Sequence, residues 1–497
     1  MDANREKLRA EIDKWFEGHT DEMIEDLGRL IAIESVRGPE EEGAPFGPGP
    51  RKVLSVAGEM LQSRGLEVSE FENIIISADI GPAPPEMGIL AHLDVVAAGE
   101  GWDTDPFSMT IKDGKVLGRG ASDNKGPSIA SMYAVYCARD ICPQLKKGMR
   151  IILGSGEEMG CHDIEQYLEK IAPPPNVFTP DAAFPVVNIE KGRFLPFFKA
   201  AWDEDKTLPR VLSITGGKTT NIVPDRAEAV IEGLKLSDVI AACKKQSEAT
   251  GVELTARELK AGETTDCSEK APNEVTCDAG TGEVGVKILI TASGKSAHAA
   301  SAPIGNNAQT ALIEMLAAMP FAPGEGQNRI MSLSRLFPHG DCSGKALGIA
   351  MNDAETGDLT VNFSVIAYDV FGVTGHFDSR TPGCADDVNL PELTRSKLAS
   401  EGLEMTHSEI THCHHTHEDT PFIQALLRVY EEYTGDKGKC LSMGGTTYVH
   451  GIKGGVAFGC GMPGVDYLIH GANEFMDIDH LILSAKMFTQ AILDMCG

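Results

Sequence analysis

Short apolar runs that stop at polar or glycine-rich turns are the feature that most restricts how this chain folds. Met87–His92 and Arg150–Leu153 have the composition and bounding residues of buried strands, and a helical pattern begins near Lys125, between them. Strand-then-helix alternation predicts an α/β layered domain. Because such domains place their sites where strands end, the polar residues at these points are candidates for function.

Further elements follow from hydrophobic periodicity along the rest of the chain. Helices are predicted over the opening residues 8–31 and at 51–64, 236–247, 307–319, 421–433 and 479–495. Strands are predicted at 74–77, 194–200, 211–215, 227–232, 285–292, 359–371 and 454–459.

The pattern of predicted strands and helices changes near Gly192. The length of 497 residues also favours two domains, since one hydrophobic core rarely serves so long a chain. Strand-and-helix sets occur twice between residues 194 and 371. We therefore predict an inserted α+β domain of two similar halves at 192–412. Residues 1–191 and 413–497 are predicted to form the other domain, in which helices flank a mixed sheet.

Charge and cysteine usage restrict the partners and the compartment. The 44 Lys and Arg face 73 Asp and Glu, giving a formal net charge of −29, which disfavours nucleic acid and anionic membranes as partners. Residues 1–26 lack the apolar core of a signal peptide, and no stretch approaches the length of about 20 apolar residues that spans a membrane. The twelve scattered cysteines favour a reduced, cytoplasmic protein over a secreted, disulfide-linked one.

His92 and Asp94 stand at the end of the first predicted strand. Side chains alternate along a strand, so these two point the same way. A histidine that binds a metal needs its second ring nitrogen fixed, and a carboxylate commonly does this. Taken alone, however, a solvated strand end explains the pair better than a metal site does.

Two glycine-rich turns present further carboxylates. Asp123 lies in the turn 118–126 before a helix; the Walker pattern of a phosphate loop is absent, and a helix-capping Asp is the better explanation of this residue alone. Glu157 and Glu158 are adjacent in the turn 154–160. Such a pair repels unless a cation is near or one member is protonated. It could be two solvated turn glutamates, but its place directly after a strand favours one metal ligand and one general base.

Asp181 and His470 complete a set of candidate ligands. Each alone is more typical of an ordinary loop or core residue. Their number, order and shared position at strand ends favour a common site. Two histidines and three carboxylates suit Zn²⁺ or Mn²⁺ and lack the thiolates of a structural zinc site.

In their order, these motifs resemble those of the M20 family of co-catalytic metallopeptidases, and within it the bacterial dipeptidases of the PepV and Sapep type. The resemblance runs along nearly the whole chain and implies a zinc-peptidase-like catalytic domain with an inserted lid domain. The motifs that carry it are HLD at 92–94, GRGASDNKG at 118–126, GEEMG at 156–160, TPDAAFP at 179–185 and HGANE at 470–474.

The resemblance implies two divalent metal ions per chain, Zn²⁺ first, with Mn²⁺ or Co²⁺ as alternatives. By position in the motifs, His92 and Asp181 would bind one ion, and Glu158 and His470 would bind the other. Asp123 would bridge the two.

Further roles are implied in the same way for the catalytic domain. Asp94 would orient and polarise His92, and Glu157 would be the general base. The Asp123–Asn124 peptide bond matches one that is cis in relatives, an uncommon form without proline.

The lid motifs imply residues that bind the substrate. His298 and Asn221 match lid residues that stabilise the tetrahedral oxyanion, and Arg380 matches one that clamps the C-terminal carboxylate of the substrate, for which the arginine fork is suited. The alternatives are a loop-capping role for His298 and a surface strand position for Arg380. The candidates in the glycine-rich loop of the catalytic domain are Gly445, Thr446 and His450.

The chain also departs from the family pattern. His450 stands where many relatives carry Arg, which affects the charge of the pocket, and Ala183 replaces an acidic residue beside Asp181. The long second domain resembles the doubled lid of monomeric dipeptidases, so we expect a monomer. The histidines of the domain junction are interpreted as part of a linker rather than a third metal site; they are His412, His414, His415 and His417.

The resulting hypothesis is a dipeptidase that acts on small unmodified dipeptides. Two cations about 3.5–4 Å apart would share a hydroxide and polarise the scissile carbonyl, while Glu157 moves the proton from water to the leaving amine. The alternatives are an amidohydrolase on the same scaffold, such as a deacylase or an aminotripeptidase, and a catalytically silent peptide-binding protein.

Overall fold

The computed structural model describes residues 3–204, 206–260, 286–386 and 388–497. The chain divides into two units: unit 1 comprises Met1–Glu190 with His414–Gly497, and unit 2 comprises Lys191–Cys413. Across the described ranges, every helix is too short or too polar to cross a membrane.

The helices lie at α1 (Ala3–Glu17), α2 (Thr20–Ile31), α3 (Pro48–Ser63), α4 (Lys125–Ile141), α5 (His162–Lys170), α6 (Leu236–Thr250), α7 (Ala308–Ala318), α8 (Glu325–Leu336), α9 (Asn389–Ser400), α10 (Pro421–Thr434) and α11 (Ile478–Cys496), with a 3₁₀ helix at Ala299–Ile304. The strands of the first part of the chain are β1 (Val68–Phe71), β2 (Ile75–Ile80), β3 (Pro85–His92), β4 (Thr110–Lys112), β5 (Lys115–Leu117), β6 (Gly148–Gly154), β7 (Asn176–Thr179), β8 (Ala182–Ala183) and β9 (Val186–Glu190). The middle part contributes β10 (Gly192–Ala201), β11 (Arg210–Gly216), β12 (Arg226–Glu232), β13 (Glu253–Glu258), β14 (Lys287–Ser293), β15 (Asn352–Asp353), β16 (Gly357–Asp358), β17 (Thr360–Tyr368), β18 (Gly372–Thr381) and β19 (Glu404–Thr411). The last part contributes β20 (His414–His415), β21 (Cys440–Met443), β22 (Val456–Ala457), β23 (Cys460–Gly461) and β24 (Phe475–Asp477).

Unit 1 is built on a mixed sheet with the strand order β1-β2-β6-β3-β7-β22-β9-β20, and β21 pairs with β9. The strands β6, β3 and β7 are parallel neighbours, whereas β2 runs antiparallel to β6. At the end of this register, His92 lies opposite Gly154. The segments that follow the three parallel strands therefore start side by side at one edge of the sheet.

Both faces of this sheet are buried. Ile89 and Ala91 of β3 belong to the larger hydrophobic core, while Leu90 between them belongs to a smaller core with Ile152 and Tyr448. Burial on both faces explains why the strand is continuously apolar rather than alternating. Helix α4 is buried over most of its length and packs against β3 and α11, which fixes the position of the turn before it.

Unit 2 contains an eight-stranded sheet with the order β13-β14-β12-β11-β17-β18-β10-β19. Its neighbouring strands are antiparallel throughout. Helices α6 to α9 contribute to the hydrophobic core of this unit, which includes Val239, Leu312, Leu333 and Leu398. The mixed α/β character predicted from the sequence is confirmed, and the division of unit 2 into two similar halves stays a prediction.

Two strand predictions need correction. The strand predicted over 359–371 ends at Tyr368, because Asp369 caps a turn by accepting hydrogen bonds from the backbone N–H groups of Phe371 and Gly372. The strand predicted over 454–459 shrinks to Val456–Ala457, since Gly454 and Gly459 have positive φ values of 83° and 81° that extended strands do not adopt. Gly285, where another strand was predicted to begin, lies outside the described residues.

Candidate active site

The edge formed by the three parallel strands carries the predicted polar residues. His92 is the last residue of β3, Glu157 and Glu158 follow β6, and Asp181 follows β7. Asp123 stands at the end of the turn that leads into α4. The structure therefore brings together residues that are far apart in the sequence.

The carboxylate of Asp123 lies between two histidines. Its Oδ1 is 3.1 Å from Nε2 of His92, and its Oδ2 is 2.9 Å from Nε2 of His470. Asp181 Oδ2 lies 3.5 Å from His92 Nε2, and Glu158 Oε2 lies 3.2 Å from His470 Nε2. Each histidine thus faces Asp123 and one further carboxylate.

In the described part of the chain, the residues that could hold a metal ion form two groups that share Asp123. One comprises His92, Asp123 and Asp181, and the other comprises Asp123, Glu158 and His470; within each group the ligand atoms lie within 4.8 Å of one another. The histidines of the domain junction belong to neither group.

The two groups fit divalent cations. Imidazole nitrogens and carboxylate oxygens without a thiolate suit Zn²⁺ or Mn²⁺. Oε1 of Glu158 is buried without a hydrogen-bond partner, a costly condition for a carboxylate oxygen that a cation would relieve. Burial and then the nearby Asp123 raise the pKa of Glu158 to about 7. The acids of the two groups are therefore crowded enough to need a positive charge among them.

The pKa values of Glu157 and His92 reflect the same crowding of carboxylates. Burial raises the pKa of Glu157 well above its usual range; the carboxylates of Asp181, Glu158 and Asp123 add to the effect and His92 opposes it. Burial alone would lower the pKa of His92, but the surrounding carboxylates, Asp181 first, more than offset it and raise that pKa. Positive charge is thus favoured at this edge of the sheet.

Asp94 links one histidine to the glutamate turn. Its carboxylate lies 3.5 Å from Nδ1 of His92, and its backbone oxygen lies 3.0 Å from the same nitrogen. The carboxylate also accepts the backbone N–H groups of Glu157, at 3.3 Å, and Glu158, at 3.1 Å. Asp94 therefore positions a ligand of each group as well as the candidate base.

Two buried acids that the sequence reasoning missed hold the surrounding loops. Asp163 accepts hydrogen bonds from the backbone of Ser155 and the hydroxyl of Tyr448, which joins the glutamate turn to the glycine-rich loop. Glu190 accepts the hydroxyl of Thr447 at 2.6 Å and lies 2.9 Å from Nδ1 of His450. Glu190 ends the fully buried strand β9, and an acid that closes such an apolar run is the signal that could have found it.

The predicted substrate residues of unit 1 lie in that glycine-rich loop. Thr446 is exposed and Gly445 is partly exposed, just before Thr447. His450 is largely buried and faces Glu190. The structure thus anchors the loop at Thr447 and His450 and leaves its tip accessible.

The predicted lid residues are placed within unit 2. Asn221 and His298 are brought together by the bridge of Ile222 to His298 and by the hydrogen bond from Ala299 N–H to the Asn221 carbonyl. Nδ1 of His298 accepts the N–H of Ala300 at 3.2 Å, so the neutral ring carries its hydrogen on Nε2.

Arg380 is only 4% exposed, unlike a surface strand residue. Its Nε and Nη2 donate to the two oxygens of Asp378, at 2.8 and 3.0 Å. Asp378 is itself fully buried, so this bidentate pair fixes the plane of the guanidinium.

The Asp123–Asn124 peptide bond is cis, as the resemblance implied. The Asn124 side chain donates to Oδ1 of Asp181 at 2.8 Å. The residue after the shared ligand thus orients a further ligand of the His92 group.

The comparisons with known proteins agree with this geometry. Residues 88–494 match the profile of Peptidase family M20/M25/M40. The Beta-Ala-Xaa dipeptidase of Lactobacillus delbrueckii subsp. lactis is 32% identical over 499 residues, which cover 100% of this chain and 99% of that protein.

Solved structures resemble the whole chain. The crystal structure of human carnosine dipeptidase 1 superposes with a TM-score of 0.56 at 19% identity and covers 99% of both chains. The dipeptidase Dug1p of Saccharomyces cerevisiae superposes with a TM-score of 0.55 at 14% identity and covers 98% of both chains. These two similarities concern the fold. From the family match and the full-length relative, we conclude that the chain belongs to peptidase family M20/M25/M40 and is a hydrolase that acts on peptide bonds.

Proposed function

We propose that the protein is a metal-dependent dipeptidase that uses two divalent ions. The observation that carries the proposal is the position of Asp123, whose two oxygens face the histidines of two ligand groups. A carboxylate shared between two such groups keeps them close together, as the separation of about 3.5–4 Å in two-metal sites demands. The name of the full-length relative supports the dipeptidase activity.

Each ligand group has its own residues in this proposal. His92 and Asp181 would hold one ion, Glu158 and His470 would hold the other, and Asp123 would contribute to both. Divalent cations held there, Zn²⁺ first with Mn²⁺ or Co²⁺ as alternatives, would supply Lewis-acid chemistry that polarises a carbonyl and activates water at neutral pH. Asp94 would keep His92 in the tautomer whose Nε2 is free to bind a metal.

Glu157 is the proposed general base. It lies in the same turn as Glu158 but belongs to neither ligand group, so its carboxylate can accept the proton of the attacking water and return it to the leaving amine. The Asp94 carboxylate accepts the backbone N–H of Glu157, which restricts the distance between the Glu157 carboxylate and the ligand residues.

Unit 2 is the proposed lid. His298 would donate its Nε2–H, and Asn221 its side-chain amide, to the oxyanion that forms at the scissile carbonyl. Arg380, held in plane by Asp378, would recognise the C-terminal carboxylate of the substrate. Gly445, Thr446 and His450 would line the rest of the pocket.

The proposal extends to the working state of the protein. The length of unit 2, which resembles the doubled lid of monomeric dipeptidases, supports a monomer. No disulfide joins the ten cysteines of the described ranges, which supports a reducing compartment such as the cytoplasm.

The test is hydrolysis of a matched substrate panel after reconstitution with Zn²⁺, Mn²⁺ or Co²⁺. The panel contains Ala-Ala, β-Ala-Ala, Ala-Ala-Ala, Ala-Ala-amide and N-acetyl-Ala. We expect cleavage of the free dipeptides alone. Ala-Ala-Ala exceeds the length that Arg380 would measure, Ala-Ala-amide lacks the terminal carboxylate, and N-acetyl-Ala lacks the N-terminal amine of a dipeptide. Cleavage of N-acetyl-Ala alone would contradict the dipeptidase and indicate a deacylase, and binding without cleavage would indicate a silent peptide-binding protein.

A further inference from the structure

The turn that presents Asp123 closes around one buried carboxylate, that of Glu474. Oε2 of Glu474 accepts the backbone N–H of Gly120 at 3.0 Å. Its Oε1 accepts the backbone N–H groups of Ser122, at 2.8 Å, and of Asp123 itself, at 3.0 Å. The Glu474 side chain is completely buried, so these bonds do not compete with water.

Arg119, from the same turn, completes the arrangement. Its Nη1 donates to Oε2 of Glu474 at 2.7 Å, and both side chains are buried, at 1% and 0% exposed. Its Nη2 donates to the carbonyls of Ala98, at 3.0 Å, and Gly471, at 3.1 Å. The guanidinium also lies over the ring of Trp102, 5.2 Å from its centroid.

These bonds connect three of the five chain segments that carry candidate ligands. Ala98 lies shortly after the strand that ends in His92, and Gly471 directly follows His470. Arg119 and Glu474 therefore tie the turn of Asp123 to the segments of both histidines.

We infer that Arg119 and Glu474 are positioning residues that set the place of the Asp123 carboxylate between the two metal sites. The inference rests on the proposed two-metal function. Neither residue belongs to a ligand group. Both act through the backbone of the turn and through the loops on either side of it.

Energetics favour positioning over simple stabilisation as the reason for this pair. Desolvation of two charges offsets much of their attraction, so a buried ion pair adds little net stability compared with apolar packing. Asp123, however, serves both histidines, and a shift of its backbone would misplace an oxygen in each ligand group. Residues that orient metal ligands from outside typically change metal affinity about 10- to 100-fold when they are replaced.

Glu474→Gln is the sharpest variant. The amide keeps the shape of the side chain but has one acceptor oxygen, whereas Glu474 accepts two N–H donors at each oxygen. The amide NH₂ must therefore face a donor, either toward Arg119 or toward Asp123.

Asp494→Asn is the matched control. Asp494 binds Arg5 through Oδ2 at 2.6 Å, and its side chain is 10% exposed. This ion pair also belongs to unit 1, but it joins α1 to α11 and involves no ligand group. Arg5 is 23% exposed, so the general cost of weakening a partly buried ion pair of unit 1 appears in this variant.

The full-length, metal-free proteins are titrated with Co²⁺, and binding is monitored through the visible absorption of the bound Co²⁺. Thermal unfolding of the same metal-free samples is measured in parallel. We expect Glu474→Gln to weaken Co²⁺ binding about 10- to 100-fold at both equivalents and to alter the absorption bands. Asp494→Asn should keep the wild-type Co²⁺ affinity and spectrum even if its unfolding temperature falls as far as that of Glu474→Gln.

The inference is overturned if Glu474→Gln binds Co²⁺ like the wild type, or if Asp494→Asn weakens binding equally. Should Glu474→Gln not fold, Arg119→Lys decides in its place: it keeps the charge but loses the fork that reaches Ala98 and Gly471, so its Co²⁺ affinity should also fall. A wild-type protein that binds no Co²⁺ would overturn the proposed function and, with it, this inference.

Discussion

Of the groups that share Asp123, the His92 group rests on the central sheet, whereas the His470 group rests partly on a loop. The His92 side chain is 1% exposed and that of Asp181 is 15% exposed. The His470 side chain is 47% exposed, and its loop holds Leu468, His470 and Asn473 at positive φ values of 57°, 62° and 61°. These φ values are uncommon for residues other than glycine.

The difference shows how one site can combine a buried half on the sheet with a more exposed half on a loop. Hydrogen bonds of the parallel strands fix His92, and the turn after β6 places Glu158. His470 depends on loop contacts, such as that between Gly471 and Arg119. We therefore expect the ion of the His92 group to be held more tightly and the ion of the His470 group to exchange faster.

The largest effect is expected from Asp123→Asn, which removes the charge that both groups share. Both metal equivalents should be lost or strongly weakened, and turnover should fall by more than about 10⁴-fold, the upper end of what a general base alone contributes. Metal analysis after gel filtration, with turnover measured in excess Zn²⁺, checks this. Retention of two tightly bound ions would show that the groups do not depend on Asp123.

Glu157→Gln should have the next largest effect, because it removes the proposed base and leaves every ligand in place. We expect kcat to fall about 10²- to 10⁴-fold with two ions still bound. Steady-state kinetics combined with metal analysis of the same sample provides the measurement. Activity close to that of the wild type would rule out Glu157 as the base.

His470→Ala and His92→Ala compare the two halves directly. Removal of His470 should release one ion and leave the other bound, since the His92 group remains complete. Removal of His92 should release the ion of its own group and, because His92 lies at the buried end of β3, should also disturb the position of Asp123. Chelator-induced release of Co²⁺ from the two variants tests which ligand group holds its ion more tightly. Equal release rates for the two ions of the wild type would contradict the comparison.

The smallest effect concerns Asp163, which holds the glutamate turn of the site. Burial, with the nearby Asp94, raises the pKa of Asp163 from 3.8 to about 6. The folded state therefore binds this proton more tightly than the unfolded state, so the group's contribution to stability is lost as the pH rises from about 4 to about 6. At 1.36 kcal/mol per pKa unit, the loss is at most about 3 kcal/mol.

Asp163→Asn should remove that part of the pH dependence. Denaturant unfolding of the metal-free wild type and variant between pH 4 and 7 measures it, and the slopes are compared rather than the absolute stabilities, because the amide also alters the hydrogen bond with Tyr448. Parallel pH profiles for the two proteins would show that Asp163 titrates as in the unfolded chain.

The sequence predicted most strands and helices that position the site because their apolar patterns are local. Met87–His92 and Arg150–Leu153 lie within β3 and β6, and their ends carry the predicted polar residues. The strand predicted at 454–459 was too long, because positive φ at two glycines cannot be recognised from hydrophobicity.

The acids behind the site were not predictable in the same way. Glu474 and Gly120 are 354 residues apart in the sequence, and Glu190 and His450 are 260 apart. Apart from the place of Glu190 at the end of the buried strand β9, nothing local distinguishes these acids from solvated ones. Only the fold, by burying each carboxylate against the N–H groups of a distant loop, gives it a role.

The most direct test of the central claim is a titration of metal-free protein with Zn²⁺ while hydrolysis of Ala-Ala is measured. The shared carboxylate of Asp123 predicts that full activity is reached only at two equivalents per chain, and the role proposed for Arg380 predicts that Ala-Ala-amide stays uncleaved. A plateau at one equivalent, or hydrolysis that needs no added metal, would contradict the account.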